Sequence, residues 1–476
     1  MMWDDVAARG RRGGRGGRRR RGSDAGTGHG AEDTEGKGRV NGDMDTPKVR
    51  ASEGTAVTRA ETGPTSAPIS LTQQSSLLMA PHNPSREYMS WVYQLNGKLD
   101  AGALAQAVDD VVAAHDILRV RFVRHREGPM QLVTPFRPGV LRVVRLDDRP
   151  KLEGLTAAIT AVEAEYRDLS PWDEARLHAT LYVVAPKTHV LAIFVAEALV
   201  DGESGTLVAA ELSRAYAKHA GRVPPELPVP NDASYLRWVA DHPVPESVQA
   251  RAVEHWRRLG NVPVAAGRWP TTLGATGARP ITRFFNVPPA QWQHLVDSTP
   301  GMAAMPFVVV LSWLEMALAR VSGADRFLVT SAVSNRSRPE TKAMIGNFVG
   351  PVRLAADVGV GDRLEDVSPR VLASLRLALA ASVVPVPLAH ARLLGEDAFV
   401  PPEPTVSFYM FSEREGPDLA GVRQRRFRVN TGRDVLRVNC TPDDVGGRNF
   451  FVISGSAAPQ LLDALAVELK GFLQVV

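Results

Sequence analysis

The stretch VLAIFVAEALVDG, residues 190–202, decides the fold class. It opens with an uninterrupted apolar run, Val190–Val195, which is typical of a strand covered on both faces of a sheet. Asp201 follows, and apolar residues at helical spacing begin at Leu207. A buried strand that leads into an amphipathic helix predicts a layered α/β protein, with Glu197 at the end of the strand.

The same mixed pattern extends outward in both directions. Period-two and short apolar stretches predict strands over residues 88–95, 118–124, 131–133, 141–144, 177–184, 189–195, 327–333, 405–411, 436–439 and 450–455. Helical spacing predicts helices over residues 99–115, 152–167, 202–216, 289–297, 306–321, 364–381 and 460–472. Pro-rich breaks at 223–230 and 241–245 place a subdomain boundary near residue 241. We therefore expect two α/β subdomains, 67–240 and 241–476.

The positive charge belongs to the start of the chain. The first 21 residues hold eight Arg and two Asp, whereas the whole chain of 476 residues has a net charge of +4, so residues 22–476 carry −2. This balance argues against a large nucleic-acid-binding surface on the folded part. Residues 1–66 are poor in apolar side chains, which predicts a disordered Arg/Gly-rich tail. An RNA-binding segment is the alternative interpretation of the tail, and we favour a solvated one.

Several classes of protein are excluded by what the sequence lacks. A single cysteine, Cys440, excludes a disulfide framework and a cysteine-built metal cluster. No apolar run reaches the roughly 18 residues that a membrane span needs, and the start lacks the apolar stretch of a secretory signal. We expect a cytoplasmic protein. The sequence has no metal-ligand pair, phosphate loop or dinucleotide fingerprint, so we expect no bound metal or cofactor.

Six blocks, in order along the chain, carry a resemblance to a known family. They are residues 70–73, 115–122, 168–170 with 176–177, 334–336, 345–352 and 407–408, and the second of them closely matches the pattern RHEXLRTXF. In these blocks the chain from about residue 69 onward resembles the condensation domains of nonribosomal peptide synthetases. The resemblance implies two chloramphenicol-acetyltransferase-like subdomains, arranged as a V-shaped pseudo-dimer with a central tunnel. It also makes Ala196, Ser334, Asn347 and Ser407 candidate tunnel residues.

The catalytic block of that family, HHXXXDG, is altered in this sequence. Asp201 and Gly202 match its end, but Ala196 and Glu197 stand where the family has its two histidines. The family's aspartate is structural and pairs with an arginine of the LRTXF block, which implies Arg119 as the partner here. A buried carboxylate needs such a partner. We expect Gly202 to permit a tight turn after the strand.

Glu197 is the candidate catalytic residue. Burial in an apolar tunnel would suit its carboxylate to act as a general base or acid. The alternative is a decayed site in which Glu197 only tolerates its surroundings, and we favour the catalytic interpretation.

The resemblance also implies the partners. With no adenylation or carrier domain recognised in the sequence, we expect an acyl- or peptidyl-carrier protein to act in trans, presenting a thioester on its phosphopantetheine arm to a small-molecule acceptor. Three hypotheses remain: condensation of the acyl group with an amine or alcohol, a repurposed cyclisation, elimination or hydrolysis, and a non-catalytic domain that recruits partner enzymes. A basic strand-like patch (Arg423, Arg425, Arg426 and Arg428) could meet an acidic carrier, although a solvated strand face is the favoured interpretation.

Overall fold

A computed structural model describes residues 65–80, 88–126, 128–169, 177–227, 234–260, 281–299, 301–302, 305–395, 406–410, 416–427, 436–442, 449–455 and 459–475. The predicted disordered tail lies outside these residues except for Thr65 and Ser66. Ser66 is already paired in a strand, opposite Leu132. The described fold therefore begins two residues before the predicted boundary.

The first half of the chain alternates strands and helices. Its elements are β1 (Ser66–Pro68), α1 (Leu71–Met79), β2 (Tyr88–Asn96), α2 (Ala101–Ala114), a 3₁₀ turn (Asp116–Arg119), β3 (Val120–His125), β4 (Gly128–Val133), β5 (Leu141–Arg145), α3 (Lys151–Asp168), β6 (Leu177–Ala185), β7 (Thr188–Ala196), α4 (Gly202–His219) and α5 (Tyr235–Asp241). The predicted strand over 118–124 thus begins as a 3₁₀ turn.

The second half repeats the mixture. Its elements are α6 (Glu246–Leu259), β8 (Ile281–Val287), α7 (Pro289–Asp297), α8 (Pro306–Ser322), β9 (Arg326–Val333), α9 (Pro339–Lys342), β10 (Gly350–Asp357), α10 (Leu364–Ala381), α11 (Val386–Leu394), β11 (Val406–Met410), β12 (Arg423–Phe427), β13 (Leu436–Pro442), β14 (Asn449–Gly455) and α12 (Pro459–Val475). Helices α1, α5, α6, α9 and α11 and strands β1, β8 and β10 were not predicted.

The described strands form three sheets. A five-stranded sheet has the order β12-β2-β7-β6-β5, a six-stranded sheet has the order β10-β9-β11-β13-β14-β8, and a small sheet has the order β1-β4-β3. Strand β7 lies at the centre of the first sheet, antiparallel to both neighbours, and all nine of its residues are buried. The continuous apolar run that predicted it is explained by this double coverage, and the α/β prediction is confirmed.

Two hydrophobic clusters underlie the two larger sheets, and the chain does not divide cleanly between them. Residues of the second half, among them Met344, Phe348 and Val422, pack in the first cluster. Strand β12 also joins the first sheet, where Arg425 is opposite Gln94. The division at 240/241 therefore remains a prediction, with these two segments of the second half as exceptions to it.

Among the described helices, no single one is long and apolar enough to cross a bilayer. Helices α10 and α11 reach that composition only as a pair, and the chain bends by 67° between them.

Candidate functional site

An ion pair between the two halves of the chain lies at the centre of the site. Asp201 is the N-cap of α4, where its Oδ1 accepts from the Ser204 backbone amide at 2.9 Å. Arg336 reaches the same carboxylate from the segment after β9, with Nη2 2.8 Å from Oδ1 and Nε 3.1 Å from Oδ2. The Phe348 amide donates to Oδ2 at 3.2 Å. Asp201 is 4% and Arg336 is 7% exposed, so each charge is compensated by the other and not by water.

The expected pairing of Asp201 with Arg119 is wrong. Arg119 ends the 3₁₀ turn, and its Nη1 donates to the Thr134 carbonyl at 3.1 Å. Among the described residues, Arg119 Nε has no acceptor. The oxygens of Asp201 are already used by Arg336, Ser204 and Phe348, so the cation that neutralises Asp201 comes from the second half of the chain.

Gly202 does not provide the expected tight turn. It is the first residue of α4, and its helical backbone conformation is one that any residue adopts. The glycine that the site does require is Gly346, whose amide donates to Ser204 Oγ at 3.0 Å. A Cβ atom there would approach Tyr235 Cε2 to 2.7 Å. Close approach of the backbone to an aromatic ring therefore demands glycine at 346.

Glu197 lies at the seam between the two halves. It directly follows β7 and is half-buried, and Ala196 before it is buried opposite Tyr88. The Glu197 carbonyl accepts from Asn347 Nδ2 at 2.6 Å. Asn347 is itself fixed, because its carbonyl accepts from the Tyr235 hydroxyl at 2.6 Å. Two of the predicted tunnel residues therefore lie next to Glu197: Asn347 is hydrogen-bonded to it, and Ala196 precedes it in the chain.

The two predicted serines lie on other elements. Ser334 is exposed just after β9, whereas Ser407 is buried within β11. A cavity of about 770 Å³ lies beside the ion pair, and the described residues that line it include Ser334, Asn347 and Arg336 but not Glu197 or Ser407. The predicted tunnel residues therefore divide between the neighbourhood of Glu197, this cavity and the second sheet.

Helix α5 contributes residues that the sequence analysis missed. Tyr235 is fully buried, donates to the Asn347 carbonyl and packs edge-on against Phe348, with ring centroids 5.1 Å apart. Burial raises the pKa of its hydroxyl to about 12. Ser234 caps the helix by accepting from the Arg237 amide. The available signal was a helix-capping serine followed by aromatic residues three apart, Tyr235 and Trp238. It lies between the two predicted breaks, where no element was predicted.

The described residues near Glu197 offer groups for hydrogen bonding and proton transfer. Among the described residues, no group of three or more His, Cys, Asp or Glu side chains could hold a metal ion. The groups available near Glu197 are a carboxylate, amides and hydroxyls, which can accept, donate and transfer protons.

The basic patch predicted on Arg423, Arg425 and Arg426 lies on β12, at the edge of the first sheet, and these three residues are exposed. Arg428 lies outside the described residues. A role for the patch in carrier binding stays a prediction.

Comparisons with known proteins agree with this architecture. The family model described as "Condensation domain" matches residues 65–388. Chondramide synthase cmdD from Chondromyces crocatus is 28% identical over 300 residues, which is 60% of this chain and 7% of that protein. The chain spans only 4% and 27% of the next two curated relatives, both of them nonribosomal or tripeptide synthetases.

Solved structures show the same fold. The first condensation domain of the CDA synthetase superposes with a TM-score of 0.64 at 19% identity, covering 86% of this chain and 97% of that one. The X-domain from teicoplanin biosynthesis superposes with a TM-score of 0.66 at 20% identity, covering 87% and 96%. Since the family model covers more than half of the chain, this protein belongs to the Condensation domain family.

Proposed function

We propose that this protein acts on an acyl or peptidyl group carried as a thioester by a partner carrier protein, with Glu197 as its acid–base group. The observation that carries the proposal is the position of Glu197. It stands four residues before Asp201, where the family's second histidine stands, and its backbone is held by Asn347 from the other half of the chain. The ion pair that supports this arrangement is intact.

Condensation would use Glu197 as follows. An amine acceptor attacks the thioester carbonyl carbon, the C–N bond forms and the C–S bond breaks. The carboxylate accepts the proton that the amine loses, and that proton passes to the departing thiolate, which leaves as the thiol of the phosphopantetheine arm. No metal or redox cofactor takes part in this sequence of bonds.

Condensation and the repurposed chemistry both need a carboxylate that is held in place. Proton transfer requires the acceptor to lie within hydrogen-bond distance of the reacting group. The Glu197 backbone is fixed by the bond to Asn347, whose carbonyl is in turn fixed by Tyr235 and Thr72. These bonds fix the backbone that carries the carboxylate, which serves condensation and a repurposed proton transfer equally well.

Mass spectrometry of the carrier separates the three hypotheses. Carriers loaded with a panel of aminoacyl groups are incubated with the protein and an amino acid thioester as acceptor, and the carrier-bound species are identified. A joined product supports condensation. An isomer, a loss of water or a hydrolysed carrier supports the repurposed chemistry, and an unchanged thioester together with a stable protein complex contradicts the proposal in favour of recruitment.

A further inference from the structure

The cavity beside the ion pair has the size and lining of a small-molecule site. Its volume of about 770 Å³ is within the usual range for ligand pockets. It lies where the start of α1, helix α5, the segment after β9 and the end of α10 come together. Its walls are largely apolar, with Trp238, Val244, Val333, Phe348, Leu379 and Val383 among them.

The polar groups at the rim of the cavity favour an anion. Ser334, Ser337 and Arg338 line it and are exposed. Among the described lining residues there is no Asp or Glu. Arg338 contacts Glu340 at 3.9 Å with both side chains about half exposed, an arrangement that contributes little and leaves the cation able to bind an anion.

Trp238 forms an aromatic part of the cavity wall. The indole is held in place by Phe348, with ring centroids 4.9 Å apart, and by stacking on His242 at 5.2 Å. This part of the wall therefore offers a fixed aromatic surface to a hydrocarbon group.

One wall of the cavity is rigid and is shared with the candidate active site. Asn335 adopts a left-handed backbone, φ 51°, and its side chain donates to the Phe348 carbonyl and accepts from Ser382. Arg336 and Asn347 line the cavity, and the same two residues contact Asp201 and Glu197. A ligand in the cavity would therefore contact Asn347, which is itself hydrogen-bonded to Glu197.

We propose that this cavity binds an apolar acid whose anionic group meets Arg338 and whose hydrocarbon body fills the interior. The size and the apolar walls of the cavity select the hydrocarbon body, and the cationic rim selects the anionic group. The site does not require Glu197 to be catalytic, so it goes beyond the proposed function and is tested by binding alone.

Three related probes test the two features by isothermal titration calorimetry. They are 4-phenylbutanoate, butanoate, which lacks the ring, and 4-phenylbutylamine, which reverses the charge. We expect 4-phenylbutanoate to bind more tightly than butanoate, because the ring buries apolar surface in the cavity, and more tightly than the amine, because Arg338 repels the ammonium group.

Charge reversal at the rim has a matched control. Arg338→Glu should weaken binding of both acids several-fold and improve binding of the amine. Arg149→Glu should change neither, although Arg149 is about as exposed and also contacts a carboxylate at 3.9 Å, on Asp148. Equal affinity for acid and amine, an equal loss in both Arg variants, or no binding of either acid at millimolar concentration would overturn the proposal.

Discussion

Removal of the Arg336 side chain tests the central ion pair. In Arg336→Met the Asp201 carboxylate remains buried without its cation, and the Met344 and Gly346 carbonyls lose donors at 2.8 and 3.2 Å. Breaking a buried pair by removing one partner costs about 3–5 kcal/mol. Because domains are stable by only about 5–15 kcal/mol, this loss should strongly lower the urea concentration at which half of the protein is unfolded.

Urea unfolding followed by circular dichroism measures the effect. Asp201→Asn combined with Arg336→Met removes both charges, so it should destabilise the protein by less than the sum of the single changes. Arg119→Met is the matched control. It loses the hydrogen bond to the Thr134 carbonyl and should cost about 1 kcal/mol. The reasoning is refuted if Arg336→Met costs under about 1 kcal/mol, or if Arg119→Met costs as much as Arg336→Met.

Three further predictions concern buried groups. Burial raises the pKa of Glu315 well above 4.5, so this carboxyl ionises in the unfolded chain at a lower pH than in the folded protein. The free energy of unfolding should therefore fall as the pH rises above about 4.5. Glu315→Gln should lose this dependence in urea titrations between pH 5 and 8. Gly346→Ala pushes a Cβ against the Tyr235 ring and should cost about 1–3 kcal/mol, whereas Gly102→Ala, whose Cβ meets only an oxygen at 3.4 Å, should cost nothing measurable by thermal unfolding. Burial raises the pKa of Cys440 to about 12, so a thiol reagent at pH 8 should label it only in denaturant; full labelling of the native protein would contradict this burial.

Local patterns in the sequence predicted most of the regular elements. The apolar run of β7 and the helical spacing that begins at Leu207 identified the strand and the helix that flank Glu197, because both signals act within a few residues. Strand β10 was missed because it contains Pro351. The strand lies at the edge of its sheet, where a missing backbone donor is tolerated.

These local patterns could not predict contacts between residues that are far apart in the sequence. Asp201 and Arg336 are 135 positions apart, and Arg119 belonged to an equally plausible block, so nothing local decides which arginine neutralises the carboxylate. The crossover of β12 to the first sheet depends on pairing with β2 across more than 300 residues. Helix α11 was missed because Pro385 and Pro387 suggest a loop, although proline is well accommodated at the start of a helix.

The most direct test of the proposed function is the effect of Glu197→Gln on turnover of a carrier-bound thioester. Glu203→Gln is the matched control, because it makes the same change six residues further on, at an exposed position of α4. Removing a general base lowers rates by about 10²–10⁴-fold. We expect single-turnover consumption of the thioester to slow by at least about 100-fold in Glu197→Gln and to stay unchanged in Glu203→Gln. Equal rates in the two folded variants would contradict a catalytic Glu197.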